Sequence, residues 1–573
     1  MTLPKTMRAR MRALAGVLVL ATVAGCSGVG GGSGGDGSGG GQGGQGEHTG
    51  QAGTDPSLAG PATTLRVLAG SEIADMTPVL EAAKQATGVA VELDYVGTLE
   101  GAEQIASGQA AKTHDAAWFS SNRYLGLLPD GNNAITTSAK IMDSPVIVGV
   151  TQTTAKTLGW DTKAPTWADI GKAAAAGTFT YGMTDPTASN SGFSALVGVA
   201  TALSGTGAAI DAAQVAKVTP QLTNFFSGQK LTSGSSGWLA DTFVKKQGAG
   251  PGASGAVDGI INYESVLLGL NTSGRLTEPL TLVYPSDGVI SGDYPLSLLA
   301  GSPAASDPAT RSAFDRLTAW LRTPEAQQQI MTTTHRRPVV PGVQPAAEFG
   351  DRLLVELPFP AQKAATDALL ASYQNKVRRP SQTVYVLDTS GSMRGDRLAQ
   401  LVKAFAVLSG SDRASAQGLK GFRDRERVTL LPFSSTPAQP QVFEVEPANA
   451  AATLTSIKGA VDGLVAQGET AIYDALTDAY AKAGAEMTAR PDAFTSIVLM
   501  SDGERTVGSS VDQFLDTYAK LPENARSVPT FTVLFGDSDV EELQRVAEAT
   551  GGKVFDARTA SLADIFKEIR GYQ

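Results

Sequence analysis

The stretch TVYVLDTSGSM, residues 383–393, decides the fold of the carboxyl-terminal third of the chain. It begins with a continuous apolar run that ends in Asp388, which is typical of a strand buried on both faces of a parallel sheet. Such a strand delivers Asp388 to the carboxyl edge of the sheet, where proteins of this architecture bind ligands. The D-x-S-x-S arrangement then sets Asp388, Ser390 and Ser392 in one tight loop.

Further apolar runs predict the other strands of this sheet. VTLLPF (428–433), SIVLM (496–500) and FTVLF (531–535) are interleaved with helical patterns. QVFEVE (441–446) alternates instead, as a half-exposed edge strand does. We therefore expect residues 381–573 to form an α/β, Rossmann-like domain with a central, mostly parallel sheet.

Two more oxygen-bearing side chains follow later elements of this domain. Thr470 stands in a Gly-Glu-Thr loop, and Asp502 follows the run SIVLM. Together with Asp388, Ser390 and Ser392 they offer only carboxylates and hydroxyls, the ligands that a hard cation such as Mg²⁺ prefers. The alternative is a chance match in which Asp502 merely caps a helix.

The pieces VLDTSGSM, GET and MSDGE resemble, in the same order, the metal-ion-dependent adhesion site of von Willebrand factor type A domains. The resemblance implies that Ser390, Ser392 and Thr470 ligate Mg²⁺, or Mn²⁺ or Ca²⁺ in its place. It implies that Asp388 and Asp502 coordinate the ion directly or through water. It also implies a protein partner that offers a carboxylate to the metal.

Short apolar runs also alternate with helical patterns from Thr64 onward, which predicts crossover units on a mostly parallel sheet. Small polar residues follow several of these runs, at the edge where such sheets bind ligands. We expect a ligand cleft there, with plain helix capping as the alternative for each single residue. The candidate lining residues are Ser71, Ser120, Ser121, Ser189, Asn190, Ser191, Gly192 and Tyr263.

Four stretches of this segment carry a further resemblance: AGSE (69–72), TDPTASNSG (184–192), INYES (261–265) and YPSDGVISGDYPL (284–296). They resemble type 2 periplasmic solute-binding proteins, particularly the molybdate and related binders. The resemblance implies two α/β lobes that close on a small solute. Glu72 and Glu264 depart from it, because carboxylates beside the cleft would repel an oxyanion. The cleft is therefore expected to take a cationic or peptide-like ligand, or none.

The amino-terminal residues have the features of a targeting signal. A basic start and the apolar run 13–24 lead to VAGC, which ends in Cys26, the single cysteine of the chain. The run is shorter than the roughly 20 residues that span a bilayer, so residues 1–25 are expected to be a signal peptide. VAGC resembles the bacterial lipobox, which implies acylation of Cys26, for instance with palmitate. An ordinary secretion signal is the alternative.

The amino-acid composition distinguishes a flexible tether from the part of the chain that is expected to fold. Thirteen of the 64 glycines lie within residues 28–46, a stretch that cannot bury enough apolar area to offset its backbone entropy. The whole chain is 42% hydrophobic and carries a net charge of −10. Acidic proteins match the phosphate backbone poorly, so no nucleic acid is expected as a partner. Three scattered histidines and one cysteine give no zinc signature.

These patterns define a domain plan. It comprises a signal peptide (1–25), a lipidated cysteine and disordered tether (26–60), a two-lobed solute-binding-protein-like module (61–345), a connecting segment (346–380) and a von Willebrand A domain (381–573). We expect no enzyme, because no motif assembles a nucleophile with a base and an orienting group.

The leading hypothesis is a surface protein that is lipid-anchored at the extracytoplasmic face of the cell membrane. It would bind a protein partner through the metal and possess an additional solute cleft. The alternative is the receptor of an ABC-type uptake system, in which the cleft is primary and the von Willebrand A domain is an accessory docking module.

Overall fold

The computed structural model describes residues 58–248, 256–410, 421–502, 505–534, 540–558 and 562–572. The expected signal peptide, Cys26 and almost all of the expected tether lie outside these ranges. From Thr54 onward the chain forms a single unit.

The elements before residue 381 belong to two lobes. In chain order they are β1 (Thr63–Ala69), α1 (Thr77–Thr87), β2 (Val89–Tyr95), α2 (Thr98–Ala106), β3 (Ala116–Trp118), β4 (Ile135–Lys140), β5 (Ser144–Thr151), α3 (Gln152–Leu158), α4 (Trp167–Ala175), β6 (Tyr181–Thr184), α5 (Asn190–Ser204), α6 (Ala212–Phe226), β7 (Gln229–Ser233), α7 (Ser236–Gly248), β8 (Gly259–Tyr263), α8 (Glu264–Thr272), β9 (Leu280–Val283), β10 (Ser291–Gly292), β11 (Pro295–Leu299), α9 (Pro303–Ser306), α10 (Pro308–Leu321), α11 (Pro324–Thr334) and α12 (Lys363–Ser372).

The first lobe is built on a five-stranded sheet with the order β2-β1-β3-β11-β4. Strand β1 is parallel to β2 and β3, whereas β11 is antiparallel to β3 and β4. Val67 of β1 and Leu296 of β11 are buried against Val79 of α1 and Leu317 of α10. Helices thus cover the sheet with the apolar faces that the sequence pattern predicts.

The second lobe has a sheet with the order β10-β5-β8-β6-β7, with β9 also paired to β5. Strand β6 is parallel to β7 and β8, but β5 is antiparallel to β8, β9 and β10. Neither lobe therefore has the mostly parallel sheet that we expected from the spacing. The reason is topological: the chain enters this lobe through β5 and returns to the first lobe through β11, and both strands run against their neighbours.

Residues 346–380, which we expected to connect the two modules, pack against the second lobe. Glu356 bridges Val289 in a parallel β-bridge. Helix α12 then lies on α6, and its Leu369 joins the apolar core of this lobe together with Tyr373.

The carboxyl-terminal domain begins at β12. In chain order its elements are β12 (Ser381–Asp388), α13 (Asp396–Leu408), β13 (Glu426–Phe433), β14 (Gln441–Val445), α14 (Ala450–Asp462), α15 (Ile472–Ala489), β15 (Phe494–Ser501), α16 (Val511–Ala519), α17 (Glu523–Arg526), β16 (Thr530–Leu534), α18 (Val540–Thr550), β17 (Val554–Asp556) and α19 (Leu562–Arg570).

Its sheet has the order β14-β13-β12-β15-β16-β17, and only β14 at one edge is antiparallel to its neighbour. This confirms the Rossmann-like fold and the edge position of QVFEVE. Strand β12 is buried along its whole length because Tyr385 and Leu387 pack on one face and Val384 and Val386 on the other. Helices on both faces explain why this strand reads as a continuous apolar run.

Within the described ranges, no helix combines the length and the apolar character needed to cross a membrane.

Candidate functional site

Asp388 is held at the end of β12 by two hydrogen bonds. The backbone N–H of Ser390 donates to Asp388 Oδ1 at 2.8 Å, and Ser501 Oγ donates to Asp388 Oδ2 at 2.6 Å. The carboxyl is fully buried, which raises its pKa, while the two serines favour its charged form and the nearby Asp502 disfavours it. Asp388 is therefore a fixed acceptor at the carboxyl edge of the sheet.

Three other expected metal ligands, Ser390, Ser392 and Asp502, lie beside this carboxylate. Ser390 Oγ and Ser392 Oγ are 3.0 Å apart, and Ser392 Oγ donates to Asp502 Oδ1 at 2.8 Å. The Gly391 N–H donates to the Gly468 carbonyl at 2.9 Å, which brings the Gly-Glu-Thr loop beside the first loop. Thr470 is buried in that loop.

The spacing of these oxygens fits a small octahedral cation. Ligands at about 2.0–2.1 Å from Mg²⁺ lie about 3 Å from their neighbours in the same coordination shell. The 3.0 and 2.8 Å separations at Ser390, Ser392 and Asp502 match that value. No group of three or more His, Cys, Asp or Glu side chains in the described part of the chain is placed to hold a metal. The expected metal site is not a cluster of this kind, because three of its five ligands are hydroxyl groups and only two are carboxylates.

Arg397 is a further member of the site that the motif did not reveal. Its Nη1 lies 2.5 Å from Asp502 Oδ2, and its side chain is 36% exposed while that of Asp502 is fully buried. Arg397 lies in the first turn of α13, which begins at Asp396. Helix α13 begins shortly after Ser392. This short separation is the sequence signal that could have predicted an arginine of the first helical turn beside the metal motif.

Three of the expected cleft residues form one hydrogen-bonded chain. Tyr263 OH donates to Ser120 Oγ at 2.8 Å, and Asn190 Nδ2 donates to Tyr263 OH at 3.0 Å. Ser120 follows β3, Tyr263 ends β8 and Asn190 begins α5. The structure thus brings together residues from both lobes at the carboxyl ends of these strands.

Three other candidate residues make local contacts within the protein and do not face the cavity. Ser191 Oγ lies 2.8 Å from both Thr184 Oγ1 and Ser236 Oγ, inside the second lobe. Gly192 packs on the backbone, because a Cβ at this position would lie 2.2 Å from the Thr184 carbonyl oxygen. Ser121 Oγ accepts a hydrogen bond from the Arg123 N–H in a local turn. None of these three lines the cavity described next.

A cavity of about 590 Å³ opens between the lobes. Ser71, Ser189 and Asn190 line it, as we expected, whereas Ser120 and Tyr263 lie behind Asn190. The additional lining residues are Leu68, Glu72, Tyr95, Val96, Gly97, Thr98, Glu100, Gln104, Ala188, Gly234, Ser235, Lys553 and Glu568. The cavity therefore coincides in part with the predicted cleft.

The two carboxylates that we expected to repel an oxyanion differ in their surroundings. Glu264 is fully buried and receives two hydrogen bonds of 2.7 Å from Arg337 Nε and Nη2, besides one from the Tyr284 hydroxyl. Its charge is therefore compensated, and it is not among the residues that line the cavity. Glu72 lines the cavity, and burial raises its pKa.

Comparison with known proteins identifies both modules. Residues 65–333 match the sequence model of bacterial extracellular solute-binding proteins, and residues 384–568 match that of the von Willebrand factor type A domain. The chain thus combines a solute-binding-protein segment with a von Willebrand A domain, as its motifs predict. Both are families of binding domains rather than enzymes.

Several solved structures are similar to part of this chain at low identity. They include the periplasmic binding protein AfuA from Actinobacillus pleuropneumoniae with fructose-6-phosphate (14% identity, 55% of this chain, 99% of that chain, TM-score 0.40). Apo ferric ion-binding protein A from Pasteurella haemolytica (12%, 55%, 95%, 0.40) and iron-bound HitA from Pseudomonas aeruginosa (16%, 54%, 95%, 0.38) are also similar. No curated protein matches the chain.

Proposed function

We propose that this protein is a non-enzymatic surface lipoprotein that binds a protein partner through a divalent cation at Asp388, Ser390, Ser392, Thr470 and Asp502. Acylation at Cys26 would hold it on the extracytoplasmic face of the cell membrane, with the glycine-rich residues as a stalk. The solute cavity would add a second binding function. The match to extracellular solute-binding proteins supports this location.

The observation that carries the proposal is the convergence of the motif oxygens. Ser390, Ser392 and Asp502 are joined by contacts of 3.0 and 2.8 Å beside the buried carboxylate of Asp388, and carboxylates and hydroxyls are the ligands that Mg²⁺ prefers. Two carboxylates leave a bound dication close to neutral before the charge of Arg397 is counted. The cation, once bound, would supply an open coordination position for an anionic oxygen such as a partner's carboxylate.

Titration calorimetry with Mg²⁺ on the full chain tests the metal site. Wild type is expected to bind the ion, and Asp388→Ala is expected to lose binding because a fixed carboxylate is removed. Asp512→Ala is the matched control, since Asp512 is an exposed residue of α16 and pairs with Arg545. Equal binding of Mg²⁺ by wild type and Asp388→Ala would contradict the proposed metal site.

The anchor needs a separate measurement. Cells that express the protein are labelled with radioactive palmitate, and wild type is compared with Cys26→Ala. We expect label only in wild type, because Cys26 is the single cysteine of the chain. Equal labelling of the two proteins would end the lipoprotein interpretation.

The 590 Å³ cavity favours a second candidate function, the receptor of an ABC-type uptake system. In that case the cavity is primary and the von Willebrand A domain docks the receptor. Mass spectrometry of the purified protein under native conditions distinguishes the two functions. A retained solute together with a permease encoded beside the protein favours uptake, whereas an empty cavity favours partner binding.

A further inference from the structure

Another cavity, of about 320 Å³, lies between the second lobe and the von Willebrand A domain. Residues of β7 and α7 line it from the second lobe, and residues of β15, β16 and the end of α18 line it from the von Willebrand A domain. It shares no lining residue with the 590 Å³ cavity, and none of the five expected metal ligands lines it. The cavity is therefore separate from both sites described above.

Three cationic side chains line this cavity. They are Lys230 of β7, Lys246 of α7 and Arg379, which precedes β12, and no carboxylate is among the described lining residues. Arg379 Nε and Nη2 donate to the carbonyl oxygens of Asp492 and Ala493 at 3.0 and 3.3 Å, which fixes the guanidinium on the von Willebrand A domain. Positive charge from both domains thus converges on one cavity.

The pKa values of these groups indicate that carboxylates do not compensate their charge. Partial burial lowers the pKa of Lys230, and the positive charge of Arg379 lowers it further. Burial also lowers the pKa of Arg379 and that of Lys246. The charge of Asp492 opposes these effects on Lys230 and Arg379 but does not outweigh them. Because a compensating carboxylate would raise the pKa of a cation, the wall retains a surplus of positive charge.

The rest of the wall is largely apolar and includes three aromatic rings. The ring centroid of Tyr572 lies 4.4 Å from that of Trp238 and 5.3 Å from that of Phe531, so the rings form one cluster across the two domains. Apolar walls with a few convergent charged groups are typical of small-molecule sites of about 300–1,000 Å³. A cavity of about 150 Å³ already admits benzene, so this one has room for a small ring compound.

We propose that this cavity binds a small organic anion, whose acidic head contacts the three cationic side chains and whose apolar body packs on the aromatic rings. The site goes beyond the proposed function, because it requires neither the metal nor a solute in the larger cavity. Partly buried cations without a counter-charge are costly, and a bound anion removes that cost. Since the cations belong to two domains, the anion also stabilises their contact and raises the midpoint of thermal unfolding.

A matched pair of probes tests the charge of the ligand. Calorimetry on the full chain, at constant ionic strength, compares phenylacetate with phenylacetamide, which has nearly the same size and no charge. Phenylacetate is expected to bind at least roughly tenfold more tightly, because its carboxylate meets a wall with surplus positive charge. An amide that binds equally well, or no binding of phenylacetate, overturns the ligand class.

Acetate tests the apolar body of the ligand. It carries the same carboxylate without the ring, so it buries much less apolar area in the cavity. Its affinity is expected to be at least roughly tenfold lower than that of phenylacetate. Acetate that binds as tightly as phenylacetate would overturn the contact with the aromatic rings.

Substitutions of lysines test the wall itself. Lys230→Met removes the charge from an outward-facing residue of the edge strand β7 and is expected to weaken phenylacetate binding roughly tenfold. Lys230→Arg keeps the charge and is expected to stay within about threefold of wild type. Lys245→Met is the matched control, because Lys245 is exposed on α7 and does not line the cavity. No loss in Lys230→Met, or equal losses in Lys230→Met and Lys245→Met, overturns the site.

A titration with the metal keeps this site apart from the proposed adhesion site. Phenylacetate affinity is measured without Mg²⁺ and at saturating Mg²⁺, and equal values are expected because no expected metal ligand lines the cavity. An affinity that depends on Mg²⁺ would contradict the separation of the two sites. Failure of the protein to bind Mg²⁺ would leave the comparison of phenylacetate with phenylacetamide intact.

Discussion

Arg397 Nη1 lies 2.5 Å from Asp502 Oδ2, while the other oxygen of this carboxylate accepts a hydrogen bond from Ser392. A fixed positive charge therefore shares a carboxylate with the proposed cation. At such distances two charges interact by several kcal/mol even with an effective dielectric constant of about 20. The arginine must weaken cation binding unless it moves away from Asp502.

Arg397→Gln is accordingly expected to raise the affinity for Mg²⁺ by roughly tenfold, since it removes the competing charge and keeps a polar side chain. Titration calorimetry at moderate salt measures the change. Arg545→Gln is the control, because Arg545 pairs with Asp512 on an exposed helix of the same domain. An unchanged or lower affinity in Arg397→Gln would show that the arginine does not oppose the cation.

The buried ion pair of Arg337 and Glu264 predicts a large effect on stability. Arg337→Met leaves the fully buried Glu264 carboxylate with the Tyr284 hydroxyl as its remaining donor. Breaking a buried pair in this way costs about 3–5 kcal/mol in the free energy of unfolding. Denaturant unfolding followed by tryptophan fluorescence measures it, with the exposed Arg311→Met as control.

The double variant Arg337→Met with Glu264→Gln separates charge from packing. It is expected to recover most of the lost stability, because the carboxylate is no longer buried without its partner. A double variant as unstable as Arg337→Met would mean that lost packing, for example of the guanidinium on the Phe349 ring, dominates instead.

The sequence revealed most of the carboxyl-terminal domain because its signals are local. A strand covered on both faces must be apolar throughout, so TVYVLD located β12, and the half-exposed β14 was recognisable from its alternation. Asp388 ends β12, Ser390 and Ser392 follow it closely, and Asp502 follows β15, whereas Thr470 lies between α14 and α15. Strand β17 escaped prediction, since three residues are too few to show a period.

The features that were missed depend on contacts between distant residues. Arg337 follows Glu264 by 73 residues, so the sequence placed a carboxylate near the cleft but not its partner. The direction of β5 depends on how the chain crosses between lobes, which spacing does not encode. Lys553 and Glu568 line the cavity although they lie far along the chain from its other lining residues, in a domain whose Gly571 packs on Gly234.

Gly192, which we expected to line the ligand cleft, packs against the backbone instead. This contact predicts how a substitution of Gly192 changes stability. In Gly192→Ala the new Cβ would lie 2.2 Å from the Thr184 carbonyl oxygen, so α5 must shift. Overpacking of this kind costs about 1–3 kcal/mol of stability. Gly198→Ala, later in the same helix, meets its nearest atom at 3.4 Å and is expected to stay within about 1 kcal/mol of wild type. Thermal unfolding of the two variants checks this, and equal shifts would contradict it.

The Glu426 carboxyl makes the folding stability of the protein depend on pH in the acid range. Burial opposes its charge, but Arg570 and Arg378 outweigh that effect and hold the pKa of Glu426 below its ordinary value of 4.5. A carboxyl with a lowered folded-state pKa contributes stability that is present above pH 4.5 and is lost as the pH falls through the lowered value. At neutral pH the full contribution is therefore present.

Glu426→Gln removes this charge and leaves the buried guanidinium groups of Arg378 and Arg570 without their carboxylate. At pH 7 it is expected to lower the free energy of unfolding by about 3–5 kcal/mol. As the pH falls below 4.5 and through the lowered pKa of Glu426, the difference from wild type should shrink, because wild-type Glu426 becomes protonated as well. Denaturant unfolding at several pH values measures the difference. The exposed Glu446→Gln is the control, and a difference that stays constant from pH 7 into the acid range would refute the lowered pKa.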